Sequence, residues 1–125
     1  MNIQRLVVTL PWPAASLSPN ARTHWAVKQR ATRDARFAAK LFAMDAMRRQ
    51  GWPGRITNAR ASATFFHRKD GRRRDGDNHL AMCKAYFDGF ADAGVIADDS
   101  GFTHSPPKFV PEGKRRVELV IESMD

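Results

Sequence analysis

Two aspartates with a glycine between them, Asp75-Gly76-Asp77, follow directly on three arginines, Arg72, Arg73 and Arg74. Carboxylates two residues apart leave the same face of an extended chain, if the strand geometry read upstream persists that far. Gly76 lets the backbone turn tightly or approach a ligand closely. Carboxylates on one face repel each other unless a cation or a proton is shared between them. Oxygen-only ligands favour Mg²⁺ or Mn²⁺ over zinc. Such an ion beside a phosphodiester can polarise the phosphoryl oxygen and supply hydroxide at neutral pH. The arginines fit the same picture through bidentate contacts to phosphate oxygens. A second acidic pair, Asp98-Asp99, lies downstream. Lys84 stands between, seven residues past Asp77, where a helical side chain leaning toward its N-terminus reaches back to the aspartates. The same residues also fit a solvated loop or a simple helix cap by Asp77 or Asn78. Residue types alone do not choose among these.

The elements that must position these groups are legible in outline. Arg5 to Leu10 is rich in β-branched residues and predicts a first strand ending at Pro11-Trp12-Pro13. Residues 14–23 are turn-rich. Residues 25–49 contain no proline or glycine and predict a long helix, with Val27, Ala31, Ala35, Ala38, Leu41 and Phe42 as its apolar stripe. Residues 59–66 predict a second strand running toward the arginines. Leu80, Cys83, Phe87 and Phe90 recur at helical spacing, and Gly94-Val95 predicts that helix's stop. Residues 102–110 can form only an edge strand broken at Pro106-Pro107, and residues 115–123 predict a strand with Val117, Leu119 and Ile121 on one face. The order β-α-β-α-β-β predicts a single small α+β domain over residues 1–125, with a mixed sheet and two main helices. On this reading the helix after Asn78 carries its far end roughly 20 Å from its start. Asp99 then meets Asp77 only if residues 95–99 run back along the sheet, at up to about 3.4 Å per residue.

Composition narrows the partners. The chain of 125 residues carries 21 Lys and Arg against 13 Asp and Glu, a net charge of +8. That imbalance favours polyanions, nucleic acid first and an acidic membrane surface second. No apolar run approaches the roughly 18 residues of a membrane span, and the N-terminal apolar run is too short for a secretory leader. Cys83 is the single cysteine, which excludes an intrachain disulfide framework or a cysteine zinc cluster and fits a buried hydrophobe. The expected location is the cytoplasm.

Three stretches together are more specific than any one. "LPWPAASLSPN" near the start, "RRRDGDN" in the middle and "KAYFDGFADAGVIADDS" after it resemble the RusA family of Holliday junction resolvases, over roughly residues 3 to 122. The resemblance implies a Mg²⁺-dependent, homodimeric endonuclease with a RusA-like fold, Mn²⁺ being a possible substitute. It would cut branched DNA, four-way junctions above all, by paired nicks in recombination and repair. By the same resemblance Asp75, Asp77 and Asp99 match the catalytic and metal-binding aspartates, with Asp98 as helper. Lys84 matches a lysine of catalysis and DNA binding. Arg74 and Asn78 match positions flanking the aspartates, and Arg72, Arg73, Lys69 and Arg22 join them as expected DNA contacts. One departure stands out: the family lysine follows the Asn by three residues, whereas Lys84 follows Asn78 by six. His79 falls in that insertion, where a solvated helix-start histidine is the plain reading. Trp12 reads as a structural plug, and Ser18 and Asn20 as turn caps. Two other readings compete: a basic nucleic-acid-binding protein without catalysis, and a flap or fork nuclease without junction preference.

Overall fold

The computed structural model describes residues 4–125. Met1–Ile3, the start of the segment weighed as a leader and of the span assigned to the domain, lie outside the described residues.

Strands β1 (Arg5–Pro11), β2 (Ala59–Phe66), β3 (Phe102–His104), β4 (Lys108–Val110) and β5 (Arg116–Ser123) form one mixed sheet. Its order is β1-β5-β2-β3, with β4 also on β2. β5 sits between β1 and β2 and is antiparallel to both. β3 and β4 run parallel to β2 along its other edge. The interruption between them contains Pro106-Pro107, which have no N–H to donate to a ladder. Alternation decides the buried face: Leu6, Val8 and Leu10 of β1, Ala61, Ala63 and Phe65 of β2, and Val117, Leu119 and Ile121 of β5 all point into one core.

The helices cover that face: α1 (Trp25–Gln50), α2 (Gly76–Met82) and α3 (Lys84–Ala93). The expected stripe of α1 is corrected here. Its buried residues are Ala39, Ala43 and Ala46, while Val27, Leu41 and Phe42 are exposed. The reason is the close approach of α3, whose Gly89 lies against α1. A Cβ at Gly89 would collide with the carbonyl oxygen of Arg36 and come within 2.9 Å of the Ala39 Cβ. Only alanines fit such a contact, so the bulkier apolar residues of α1 face outward. Arg36 and Asp92 lock the two helices with a two-pronged ion pair at 2.6 and 2.8 Å.

The second predicted helix is also corrected, because it is two. At Cys83 the backbone leaves helical geometry (φ −89°, ψ 0°), and a new helix starts at Lys84. The fully buried Cys83 side chain pins the break. The predicted stop holds: Gly94 is left-handed (φ 88°), and the Val95 N–H closes the end by donating to the Phe90 carbonyl.

Candidate active site and nucleic-acid interface

Strand geometry does not persist to the aspartates, contrary to the condition on which their shared face rested. β2 ends at Phe66, residues 67–75 are irregular, and α2 starts at Gly76. Asp75 is the N-cap of α2, where the sequence suggested Asp77 or Asn78; its Oδ1 accepts from the Asn78 N–H at 3.2 Å. Asp77 in the first turn points elsewhere, into an open cavity of about 310 Å³ lined also by Leu80, Ala81, Lys84, Phe87, Asp99 and His104.

Asp99 reaches that cavity by the return path the sequence left open. After Gly94 the chain runs beside residue 56, with Ile96 bridged in parallel to Ile56 and the Ala97 N–H donating to the Ile56 carbonyl at 2.9 Å. A single 3₁₀ turn over Asp99–Gly101 follows, capped by Asp98, whose Oδ1 accepts from the Ser100 N–H at 3.3 Å. Gly101 is required there, because a Cβ would collide with the Thr57 carbonyl oxygen. The turn is thus pressed onto the β2 approach, and β3 follows it at the cavity wall.

Lys84 is the charge at the centre of the site. Its Nζ donates to Asp99 Oδ2 at 3.0 Å and to Asp88 Oδ1 at 3.1 Å. It therefore turns to the Asp98-Asp99 side of the cavity and to its own following turn, not back onto Asp77 as its helical position suggested. The break at Cys83 restarts the helix at Lys84, six residues past Asn78. Lys84 holds the Asp99 carboxyl down at about 2 through its hydrogen bond to Oδ2. Asp99 and Asp88 in turn raise the Lys84 ammonium above its ordinary value, so it stays charged at neutral pH.

The donors of the site are hard oxygens. Asp77 and Asp99 face one cavity, and Lys84 engages Asp99 through Oδ2. Such donors suit Mg²⁺, which binds through one or two carboxylates while keeping waters or phosphate oxygens for the rest. Among the described residues, no three His, Cys, Asp or Glu side chains are grouped as a ready metal cage. Asp75 and Asp98 each engage Oδ1 in a cap, leaving Oδ2. Asp77 and Asp99 are the carboxylates that line this cavity.

On its other flank α2 borders a second pocket, about 340 Å³, whose lining includes Trp12, Ser18, Arg72, Arg73, Arg74, Asn78, His79 and Arg115. Arg72, Arg73 and Arg115 are exposed there. Arg74 is not: only 7 % of its side chain is exposed, and it is tied to Asp70 by hydrogen bonds of 2.7 and 3.1 Å. That pairing raises the guanidinium's pKa and holds Asp70 well below the usual carboxylate range. Arg74 is a strut that closes the loop before Asp75. Asn78 accepts from the Ser18 hydroxyl at 3.1 Å, so "SLSPN" is tied to "DGDN" across the fold. Lys69 and Arg22 are exposed. His24, upstream of α1, caps that helix by accepting from the Ala26 N–H at 3.1 Å.

His79 differs from the solvated residue expected. It is half-buried among Trp12, Phe65 and Phe109, with ring centres 5.1–5.6 Å away, and its Nδ1–H donates to the Asp75 carbonyl at 2.8 Å. Trp12 packs edge-on to Phe65 and lies under Arg115, 4.8 Å from its ring centre. Two residues escaped the sequence reading. Arg115 was read as the start of a strand, and His104 lies in a segment read only as a broken edge strand. Burial lowers the His104 pKa below the ordinary value, so its imidazole is neutral at pH 7.

No protein-family model matches the chain. An uncharacterized protein of Xylella fastidiosa (strain Temecula1) is 40 % identical over 102 residues, which is 79 % of this chain and 63 % of that protein. The chain thus spans less than two thirds of that relative's length.

Proposed function

We propose that the chain is a Mg²⁺-dependent endodeoxyribonuclease, with Mn²⁺ as a substitute, that cuts four-way DNA junctions by paired nicks as a homodimer. The single observation that carries this reading is convergence. Asp77, Lys84 and Asp99, from separate segments, line one cavity, and an arginine-lined pocket lies on the other flank of the same short helix. The sequence resemblance to junction resolvases supplies the substrate class.

Asp77 and Asp99 would hold the cation. When bound there, it supplies Lewis-acid polarisation of the phosphoryl oxygen. Lys84, charged at neutral pH, offsets negative charge building on the phosphate. Arg72, Arg73 and Arg115 grip phosphate oxygens of the neighbouring backbone, with affinity that falls steeply as salt rises. Arg74 and His79 position rather than touch: one closes the loop before Asp75, the other anchors the first turn of α2 through the Asp75 carbonyl. Two copies related by a two-fold axis would present equivalent sites to opposed strands of a junction with the same symmetry.

A second reading keeps nucleic-acid binding and drops catalysis. Its support is the ammonium of Lys84 between Asp88 and Asp99, which balances that charge without a metal. The two readings part on one experiment: wild type against Asp77→Asn on junction, fork and linear duplex, with Mg²⁺, Mn²⁺ or EDTA. The nuclease reading expects metal-dependent nicking favouring the junction, abolished in Asp77→Asn with junction binding kept or tightened. No nicking by wild type with either metal would sink it. Equal cutting of forks and junctions would leave a nuclease without junction preference.

A further inference from the structure

The first turns of α1 carry an aromatic ring and a run of cations that the proposed site does not use. Trp25 is 70 % exposed, the most of the large apolar side chains described. His24 beside it is fixed by its cap hydrogen bond, with its ring centre 5.7 Å from that of Trp25 and its plane tilted by 30°. The indole is braced by a neighbouring ring while most of its surface meets solvent. Residues 20–33 contain Arg22, Lys28, Arg30 and Arg33 and no Asp or Glu. Of these, Arg22, Lys28 and Arg30 enter no ion pair among the described residues. Trp25, Lys28 and Thr32, at helical steps of three and four, share one face of α1. That face borders a groove of about 260 Å³, with Pro19, Lys28 and Thr32 on one wall and Ala81, Lys84 and Asp88 on the other. Ala81 and Lys84 also line the cavity of Asp77 and Asp99, so groove and cavity meet around them. The carboxylate in that wall, Asp88, is engaged by Lys84 at 3.1 Å.

We infer that this groove holds the DNA strand flanking the cut, and that an unpaired base of that strand stacks on Trp25. The inference rests on the nuclease reading for its direction and adds to it a site for an unstacked nucleotide. Cations without acids suit a phosphate backbone. Lys28 lies about 4.5 Å along the axis from the indole, so a phosphate and the base it carries can meet both. An indole stacks on any base, which gives binding tolerant of sequence. Paired bases are already stacked within their duplex, so the ring selects nucleotides freed at a branch. A bilayer is the rival partner for a basic helix with an exposed Trp. A bilayer surface is too broad to enter a groove of this size, whereas a single strand fits it and runs on into the cavity.

The test needs no cleavage and is run on the full chain in EDTA. An oligothymidylate of about 12 nucleotides should quench the fluorescence of wild type more than that of Trp25→Phe, the difference isolating Trp25 from Trp12 and Trp52. Trp25→Ala should bind it about 5- to 150-fold more weakly, the worth of one stacked base, and Trp25→Phe should recover most of that loss. A fully paired duplex should bind wild type and Trp25→Ala nearly alike. Lys28→Ala should lower the slope of log affinity against log salt by about 0.7. Oligothymidylate affinity unmoved in Trp25→Ala overturns the inference, as does an equal loss for duplex. So does a Trp25 signal that answers only to phosphatidylserine vesicles or to protein concentration, which assigns the ring to a membrane or to another chain. An unmoved salt slope in Lys28→Ala overturns the groove as the path of the strand. Metal-dependent nicking is scored separately: its absence, with Trp25-dependent binding intact, sinks the nuclease reading alone.

Discussion

Replacing Lys84 with methionine tests the electrostatics of the cavity without requiring cleavage. The variant keeps an unbranched apolar stem and removes the charge that Asp99 meets at 3.0 Å and Asp88 at 3.1 Å. Two unit charges at that separation interact by about 5.5 kcal/mol at an effective dielectric of 20, and by about 1.4 kcal/mol at that of water. The Lys84 side chain is 70 % exposed and that of Asp99 36 %, so screening wins and the lower figure applies. It corresponds to about one pKa unit. The Asp99 carboxyl, held at about 2 in the wild type with Lys84 as the main cause, should therefore climb by about one unit. Carboxyl-detected NMR titration of both proteins reads this directly. Loss of a competing ammonium should also tighten Mg²⁺ binding at pH 7 by up to about tenfold, measured by calorimetry, while junction nicking falls. Asp99 still titrating near 2 in Lys84→Met, with Mg²⁺ affinity unmoved, would refute the assignment of Lys84 as the cation that organises these carboxylates.

Other consequences are cheaper to check. Gly89→Ala forces a methyl into the α1 backbone and should destabilise by about 1–3 kcal/mol, seen as a lowered denaturation midpoint with an unchanged denaturant slope. Burial pushes the Cys83 thiol up to about 12, so a thiol reagent should label it slowly in the folded protein and at once in denaturant. Asp70 and Asp99 are both held below the ordinary carboxylate value of 3.8. The stability they contribute is present above about pH 4 and is lost as pH falls toward 2. Proton uptake accompanying acid unfolding should therefore diminish in Asp70→Asn and in Asp99→Asn.

Much of the fold follows from local rules. β1, β2 and β5 alternate apolar and polar residues, α1 runs uninterrupted from Trp25 because nothing before Gly51 breaks it, and Gly94 ends α3 because left-handed backbone is cheap only for glycine. Periodicity failed where a neighbour decided the outcome. An apolar stripe through Leu41 and Phe42 is the natural choice for α1 in isolation. The closeness of Gly89 admits only alanines, and that depends on a residue about fifty positions away. The break at Cys83 was equally hidden, since Leu80, Cys83 and Phe87 keep helical spacing across it.

The sequence by itself determined the chemistry available here: hard carboxylates beside a run of arginines, a strongly basic chain, and no cysteine cluster for zinc. Residue types carry that information without any geometry. Which carboxylates meet was decided by tertiary structure. Asp75 and Asp77, two residues apart, diverge because one caps α2 and the other follows it into the helix. Asp77 and Asp99, 22 residues apart, share a cavity because residues 95–97 pair beside Ile56 and Gly101 lets the turn press onto Thr57. Sequence spacing measures distance along the chain, and only the return path across the sheet turns it into distance in space.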